Sequence, residues 1–496
     1  MTADINKGVF VIYTGGTIGS RPRDPNDPDS PQTVVPWDEL VRLTPALKGL
    51  DFPIDGWSFP TPTDSSNIGP KEWRMMAEVI EENYDMYEGF VILHGTDTMV
   101  YTASVLSFML VNLGKPVVLT GAQRSHLFQA RNDAVQNLIT ALRIANPADS
   151  GIPVVPEVCI FFRDDLLRGN RCIKMDASGY NAYSSPNYPR LGWAGDKIHI
   201  DTRLIRAIPT QPFRIRRNMD TNVISFNVFP GIQDTDVVQR LVNAPNLRGI
   251  ILCTFGSGNV PTNRDFLDPF REAIDRGVII QNVTQCTRGM VELGLYEASA
   301  NLLEIGMISG LDITAEAALC KMMVLLGDED LSGDEVADLM QQDLEGEMSL
   351  SIFTTRFRKN GTNRIDDSQP RGRLVSTDSL PGNYKGWKIS SAILRFRQAK
   401  VENSPHDKPL SVKVFINVSS SDSLDEKSAN FAGEFRRTRN EEPSIVSFDV
   451  TRTARRLIRP GMKLSLTISI DGESEGSFEW EGAEFCVYSG STVDSR

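Results

Sequence analysis

Three short segments combine hydroxyls, glycines and carboxylates at spacings suited to attack on a carbonyl carbon. Thr14-Gly15-Gly16-Thr17-Ile18-Gly19-Ser20 follows directly on the apolar run Val9–Tyr13. Paired glycines after a buried strand let the backbone turn tightly and bring its N–H groups to a ligand. A dinucleotide site would need G-x-G-x-x-G and a phosphate loop a following lysine; here the spacing is G-G-x-x-G without that lysine. His94-Gly95-Thr96-Asp97-Thr98-Met99 follows a second apolar run, Phe90–Leu93, and opens a helical pattern. Asp97 or Thr98 can cap that helix, yet two hydroxyls and a carboxylate exceed what a cap requires. Thr63-Asp64-Ser65-Ser66-Asn67 precedes a helix starting near Pro70 and by itself reads as an N-cap turn. A threonine hydroxyl is a weak nucleophile and needs a base or a polarising neighbour. Backbone N–H groups of a glycine turn can hold the oxyanion that such an attack creates.

The segments TGGTIGS (14–20), DSSN (64–67), HGTDTM (94–99) and LTGAQ (119–123) stand in the order and spacing of the L-asparaginase family. FFRDDLLRGNR (161–171) and IKMDASGYNAYSSPN (173–187) resemble its shorter, cytoplasmic type I branch. TFGSGNVPTN (254–263) and NVTQCTRGMV (282–291) extend the resemblance, which covers about residues 8–345. It implies an amidohydrolase that converts L-asparagine to L-aspartate and ammonia through a threonine acyl-enzyme, with glutamine a weaker substrate and no cofactor or metal. By position, Thr17 is the implied nucleophile, and Thr96, Asp97 and Lys174 the implied second catalytic set. A lysine there can take and return protons if desolvation lowers its pKa. Asp97 would also hold the substrate α-amino group, and Asp64, Ser65 and Ser66 would grip its α-carboxylate and α-amino ends. From the residues alone, Lys174 beside Cys172 and Asp176 reads as a solvated lysine. His94 is expected to be a structural hydrogen-bonder, and Cys286 a buried thiol near a domain or regulatory interface.

Two positions depart from the family pattern. Many asparaginases carry a tyrosine in a mobile flap some ten residues after TGGT; Arg21–Pro36 contains none and is rich in Pro and Asp, like a flexible lid. Asn67 stands where the family's DSSD has an aspartate. Two other functions compete. One is the asparaginase-like subunit of a tRNA-dependent amidotransferase, though such subunits tend to carry an N-terminal extension and this chain starts at the strand before TGGT. The other is a non-catalytic amino-acid sensor, against which stand four filled catalytic positions.

The elements that position these segments follow from periodicity. Val9–Tyr13, Phe90–Leu93 and Pro116–Leu119 are continuous apolar runs, while Met99, Ala103, Leu106 and Leu110 recur on one helix face. Strands buried on both faces and separated by helices predict a parallel sheet, with ligands beyond the strands' carboxyl ends. The predicted fold class is α/β: a larger N-terminal parallel-sheet domain (1–206), a linker (207–221) and a smaller α/β domain (222–346). Beyond Ser349 the pattern changes to period two. Leu410, Val412, Val414 and Ile416 alternate with other residues, as do Leu464, Leu466, Ile468 and Ile470. This predicts an all-β, jelly-roll-like sandwich over 350–496 with a short helix over Val450–Ile458. The basic stretch Arg356–Arg373 reads as a solvated linker.

Composition bounds the rest. With 496 residues, 40% hydrophobic and 23% charged, the chain can bury several cores. A formal charge of −12 argues against a phosphate-backbone partner. No signal-like leader and no membrane-length apolar run are seen, and six scattered cysteines lack C-x-x-C spacing. A reduced, cytoplasmic protein is expected, with asparagine as its small-molecule partner and no nucleic acid or membrane. The resemblance further implies a homodimer or homotetramer.

Overall fold

The apolar runs of the first half lie side by side in one sheet. The computed structural model describes residues 7–490 except 25, 28–29, 31, 126–130, 235, 294–296, 359–362, 381–387, 405–407, 419–423, 442 and 471–475. In sheet order, Ile54–Ser58, Val9–Tyr13, Gly89–Leu93, Val117–Thr120 and Val158–Phe162 pair in parallel. Asp165–Arg168 then turns back antiparallel, and Gly192–Ala194 and Ile198–Ile200 complete eight strands. Alternate residues of each strand enter opposite layers. Phe10, Ile12, Phe90 and Ile92 join one core with the helix Met99–Met109, while Val9, Val11, Val91 and Leu93 join another with the helix Ala134–Ala145. Both faces are covered, which is why these strands are continuously apolar rather than alternating.

A second parallel sheet orders Val223–Asn227, Gly249–Thr254, Ile279–Thr284 and Ile308–Ser309. Helices Arg264–Asp275, Ala315–Leu326 and Gly333–Met340 accompany it. The intervening 207–221 is packed rather than loose. Arg214–Ile215 pairs with Leu110–Val111, and Phe213 stacks on Tyr84 with ring centroids 3.9 Å apart. One compact unit holds both α/β sheets, running to Ser299 and resuming over Met307–Met348. No helix among the described residues is long and apolar enough to cross a membrane.

The other unit comprises Ala300–Gly306 and the chain from Ser349 onward. It is an antiparallel ten-stranded sheet system around a core that includes Phe396, Val412, Leu466, Phe478 and Phe485. The helix Thr451–Leu457 sits where a short helix was expected. The linker expected over Arg356–Arg373 is corrected here. Leu350–Arg358, Arg364–Asp366 and Arg371–Ser379 are strands. Phe357, Ile365 and Leu374 point inward, while Arg371 and Arg373 are exposed and Arg364 meets Glu479 at 2.9 Å. Five cysteines are buried, but Cys286 is exposed, contrary to the buried thiol expected there. Its N–H instead donates to the Thr284 hydroxyl in a surface turn.

Candidate active site

Three adjacent strands of the large sheet end in the three polar motifs. Thr14–Ser20 leaves Val9–Tyr13, His94–Met99 leaves Gly89–Leu93, and Thr63–Asn67 follows the edge strand Ile54–Ser58. Glycine lets these loops touch. Gly16 has φ +85°, and a Cβ there would lie 2.8 Å from the Gly95 Cα and backbone N. A Cβ on Gly95 would lie 2.6 Å from the Ser65 Oγ. The first loop therefore meets the second backbone to backbone, and the second packs its backbone on the Ser65 side chain, approaches that a Cβ would block.

The two threonines of TGGT differ sharply. Thr14 is buried and its hydroxyl donates to the Leu93 carbonyl at 3.0 Å. Thr17 opens a short 3-10 turn, Thr17–Gly19, and is exposed. The following segment doubles back, Ser20–Pro22 pairing antiparallel with Gln32–Val34, while Arg21 meets Glu39 at 3.0 Å.

Lys174 reaches the same place from far along the chain. It lies on the two-residue strand Ile173–Lys174, paired with Tyr183–Ser184. Its Nζ donates to the Thr96 Oγ1 at 3.0 Å and to the Asp97 Oδ1 at 2.5 Å. The Lys174 side chain is 16% exposed and that of Asp97 66%, so the pair faces water from one side only. Two neighbours that the motif reading left without a role hold this group. Gln123 donates through Nε2 to the Gly179 carbonyl at 3.1 Å, which turns its Oε1 toward the Thr96 hydroxyl at 3.4 Å. Tyr183, buried, donates its hydroxyl to the Thr96 carbonyl at 2.5 Å. Burial holds that phenol far above its usual range, so it remains a donor. Gln123 ends the LTGAQ segment and Tyr183 lies within IKMDASGYNAYSSPN, so both stood in segments that carry the resemblance without being given a role by it.

The DSSN turn divides its work. Asp64 is exposed, and its Oδ1 accepts from the Ser66 N–H at 2.9 Å and hydroxyl at 2.5 Å, which lower its carboxyl pKa. Ser66 and Asn67 are exposed as well. Ser65 is buried: its Oγ accepts from the Asp97 N–H at 3.3 Å and its carbonyl from the Thr98 hydroxyl at 2.6 Å. It ties this turn to the Thr96–Asp97 loop.

His94 lies beneath the site, fully buried, and burial pulls its imidazole down to about 4. Its Nδ1 is 2.7 Å from the Gly95 carbonyl and so must carry the proton, leaving Nε2 to accept from the Thr102 hydroxyl at 2.9 Å. Thr102 in turn accepts from the Trp73 indole N–H at 2.9 Å. A neutral, tautomer-locked histidine fits the structural role expected of it.

Two family models match the α/β regions of the chain. The N-terminal domain of asparaginase matches residues 8–206, and the C-terminal domain of glutaminase/asparaginase matches residues 222–340. The chain belongs to the asparaginase family. L-asparaginase 1 of Escherichia coli (strain K12) is 39% identical over 360 residues, 69% of this chain and 98% of that protein. The 60 kDa lysophospholipase of Mus musculus is 39% identical over 362 residues, 69% of this chain and 62% of that protein. Among solved structures, L-asparaginase I of Vibrio cholerae matches with a TM-score of 0.61 and 39% identity, over 69% of this chain and 99% of that one. These likenesses support an amidohydrolase of the asparaginase family, extended by a β-rich region.

Proposed function

We propose that this member of the asparaginase family hydrolyses L-asparagine to L-aspartate and ammonia, with glutamine a weaker substrate. The observation that carries the reading is Lys174 meeting Thr96 and Asp97 together, beside the glycine turn that presents an exposed Thr17. The Thr17 Oγ attacks the side-chain amide carbon and its proton passes through Thr96 to Lys174, which takes it as the free amine and becomes the ammonium. Backbone N–H groups of the Gly15–Thr17 turn and the Thr96 loop hold the oxyanion. Collapse breaks the C–N bond, the nitrogen takes the proton and leaves as ammonia, and a Thr17 ester remains. Water activated by the same pair hydrolyses that ester, restoring the Thr17 hydroxyl and releasing aspartate. Asp97 and Asp64 hold the α-amino group and Ser66 the α-carboxylate, with Ser65 fixing the loop between them. The protein works in the cytoplasm as a homodimer or homotetramer.

Ammonia release from free L-asparagine tests this, with Thr17→Ala as the control. Release by the unmodified protein, lost in the variant, is expected; none from the unmodified protein sinks the proposal. A lysophospholipid serves as the comparison substrate, because one relative bears that activity in its name. Ester cleavage without amide cleavage would redirect the reading.

A further inference from the structure

A dense ionic cluster, with Arg168, Arg171, Lys321 and Glu347 buried, surrounds a segment that lies just outside the regions matched by the family models. The segment Gln342–Glu347 follows the helix Gly333–Met340 and ends two residues before Ser349, from which the chain belongs to the second compact unit. Side chains from the large α/β sheet region capture its carbonyls one after another. Arg206 donates to the Leu344 carbonyl at 3.0 Å and Asn170 to the Glu345 carbonyl at 2.9 Å. Arg171 and Arg168 both donate to the Gly346 carbonyl, at 2.8 Å and 3.3 Å. Lys321 donates to the Gln342 carbonyl and pairs with Glu347 at 2.6 Å, both side chains wholly buried. Glu347 folds back to accept from the Leu344 and Glu345 N–H groups.

Taking this many charges out of water is costly, and buried pairs often add little net stability over an apolar packing. Such a cluster is better suited to fixing one geometry. What it fixes is specific. Arg168 ends the strand Asp165–Arg168, Gly169–Arg171 is a single 3-10 turn, and Lys174 is only three residues beyond Arg171. Arg171 is also held from the other side by Asp312 at 2.8 Å. Gly346 has φ +83°, and a Cβ there would lie 2.6 Å from the Arg168 guanidinium. The contact therefore admits only glycine without displacing the arginine.

We infer that Gln342–Glu347 is a strap that positions Lys174, acting through Arg168, Asn170 and Arg171. The strap anchors the turn from which Lys174 emerges. Lys174 pairs in register with Tyr183, whose hydroxyl holds the Thr96 carbonyl, so a shift at the turn reaches both partners of the proton-transfer group. Arg171 and Gly346 are thus positioning residues, remote from the substrate. The inference rests on Lys174 having the role proposed above.

The test compares full-length Gly346→Ala and Arg171→Met with the unmodified protein by asparagine kinetics, hydrogen exchange and thermal unfolding. The expected result is a kcat at least tenfold lower with KM changed less than threefold. Backbone exchange at Ile173, Lys174, Tyr183 and Ser184 should accelerate at least tenfold. Arg171→Lys, which keeps the charge opposite Asp312, should recover part of kcat. An unchanged kcat with faster exchange confined to 342–347 overturns the inference. Should either variant fail to fold, Asn170→Ala removes a single strap bond and is read the same way. If the unmodified protein releases no ammonia, the proposed function fails, while exchange at residues 173–174 still decides whether the strap holds that strand.

Discussion

Replacing Lys174 by methionine separates catalysis from stability more cleanly than any other change at the site. The side chain keeps its length and loses its charge and three donors. Asp97 is 66% exposed, so its carboxylate returns to water when the ammonium is gone. Thr96 keeps Gln123 and Tyr183 as partners. An ion pair this open is worth on the order of 1 kcal/mol or less. In a unit of this size that moves the unfolding midpoint by no more than about 2–4 °C. Losing the acid–base group at the reacting centre is a different matter, a rate factor of about 10² to 10⁴. That factor corresponds to roughly 3–5 kcal/mol of barrier. Steady-state ammonia release at saturating asparagine, with thermal unfolding of the same sample, measures both. A kcat within about threefold of the unmodified enzyme would refute the role given to Lys174. So would an activity loss matched by global unfolding, since the pair would then be structural.

Further outcomes follow from the same geometry. Gly95→Ala places a Cβ 2.6 Å from the Ser65 Oγ and 2.7 Å from its Cβ. Overpacking of that kind costs about 1–3 kcal/mol, so a lower urea midpoint is expected together with lost turnover; normal turnover would mean the loops do not meet this closely. His94 has its pKa lowered from 6.5 to about 4 in the folded chain. The unfolded chain therefore binds its proton first on acidification, and the His94 contribution, present above pH 6.5, is lost as pH falls toward 4. The full span is about 3 kcal/mol; urea unfolding at pH 7 and 4.5 should show His94→Gln losing less stability on acidification than the unmodified protein. Among the six cysteines only Cys286 is exposed, so a thiol reagent should label it first in the native state, and equal labelling of Cys159 or Cys172 would contradict their burial.

Much of the body was legible in the sequence because its signals are local. A strand buried on both faces must be apolar throughout, and a glycine turn at its end must be polar to meet a ligand. Val9–Tyr13 with TGGT, and Gly89–Leu93 with HGTDT, carry both signals within a dozen residues. Arg356–Arg373 misled for the same reason. Its charges suggest solvation of a linker, whereas Arg356, Arg364, Arg371 and Arg373 belong to strands whose inner side is Phe357, Ile365 and Leu374. A short basic run shows period two only weakly until its partner strands are known.

Residue types alone placed the hydroxyls and carboxylates, and by themselves they left Lys174 a solvated lysine. The resemblance implied Lys174 beside Thr96 and Asp97 and the tertiary structure supplies the contact; only the tertiary structure decided that Ser65 faces inward and that Cys286 faces out. The places of Lys174 and Ser65 depend on strand order and on contacts across 32 to 78 residues of sequence. The strap shows it most plainly, for Arg171 and Gly346 are 175 residues apart. A local pattern can state what a residue offers; which partner a buried charge finds is settled by the path of the whole chain.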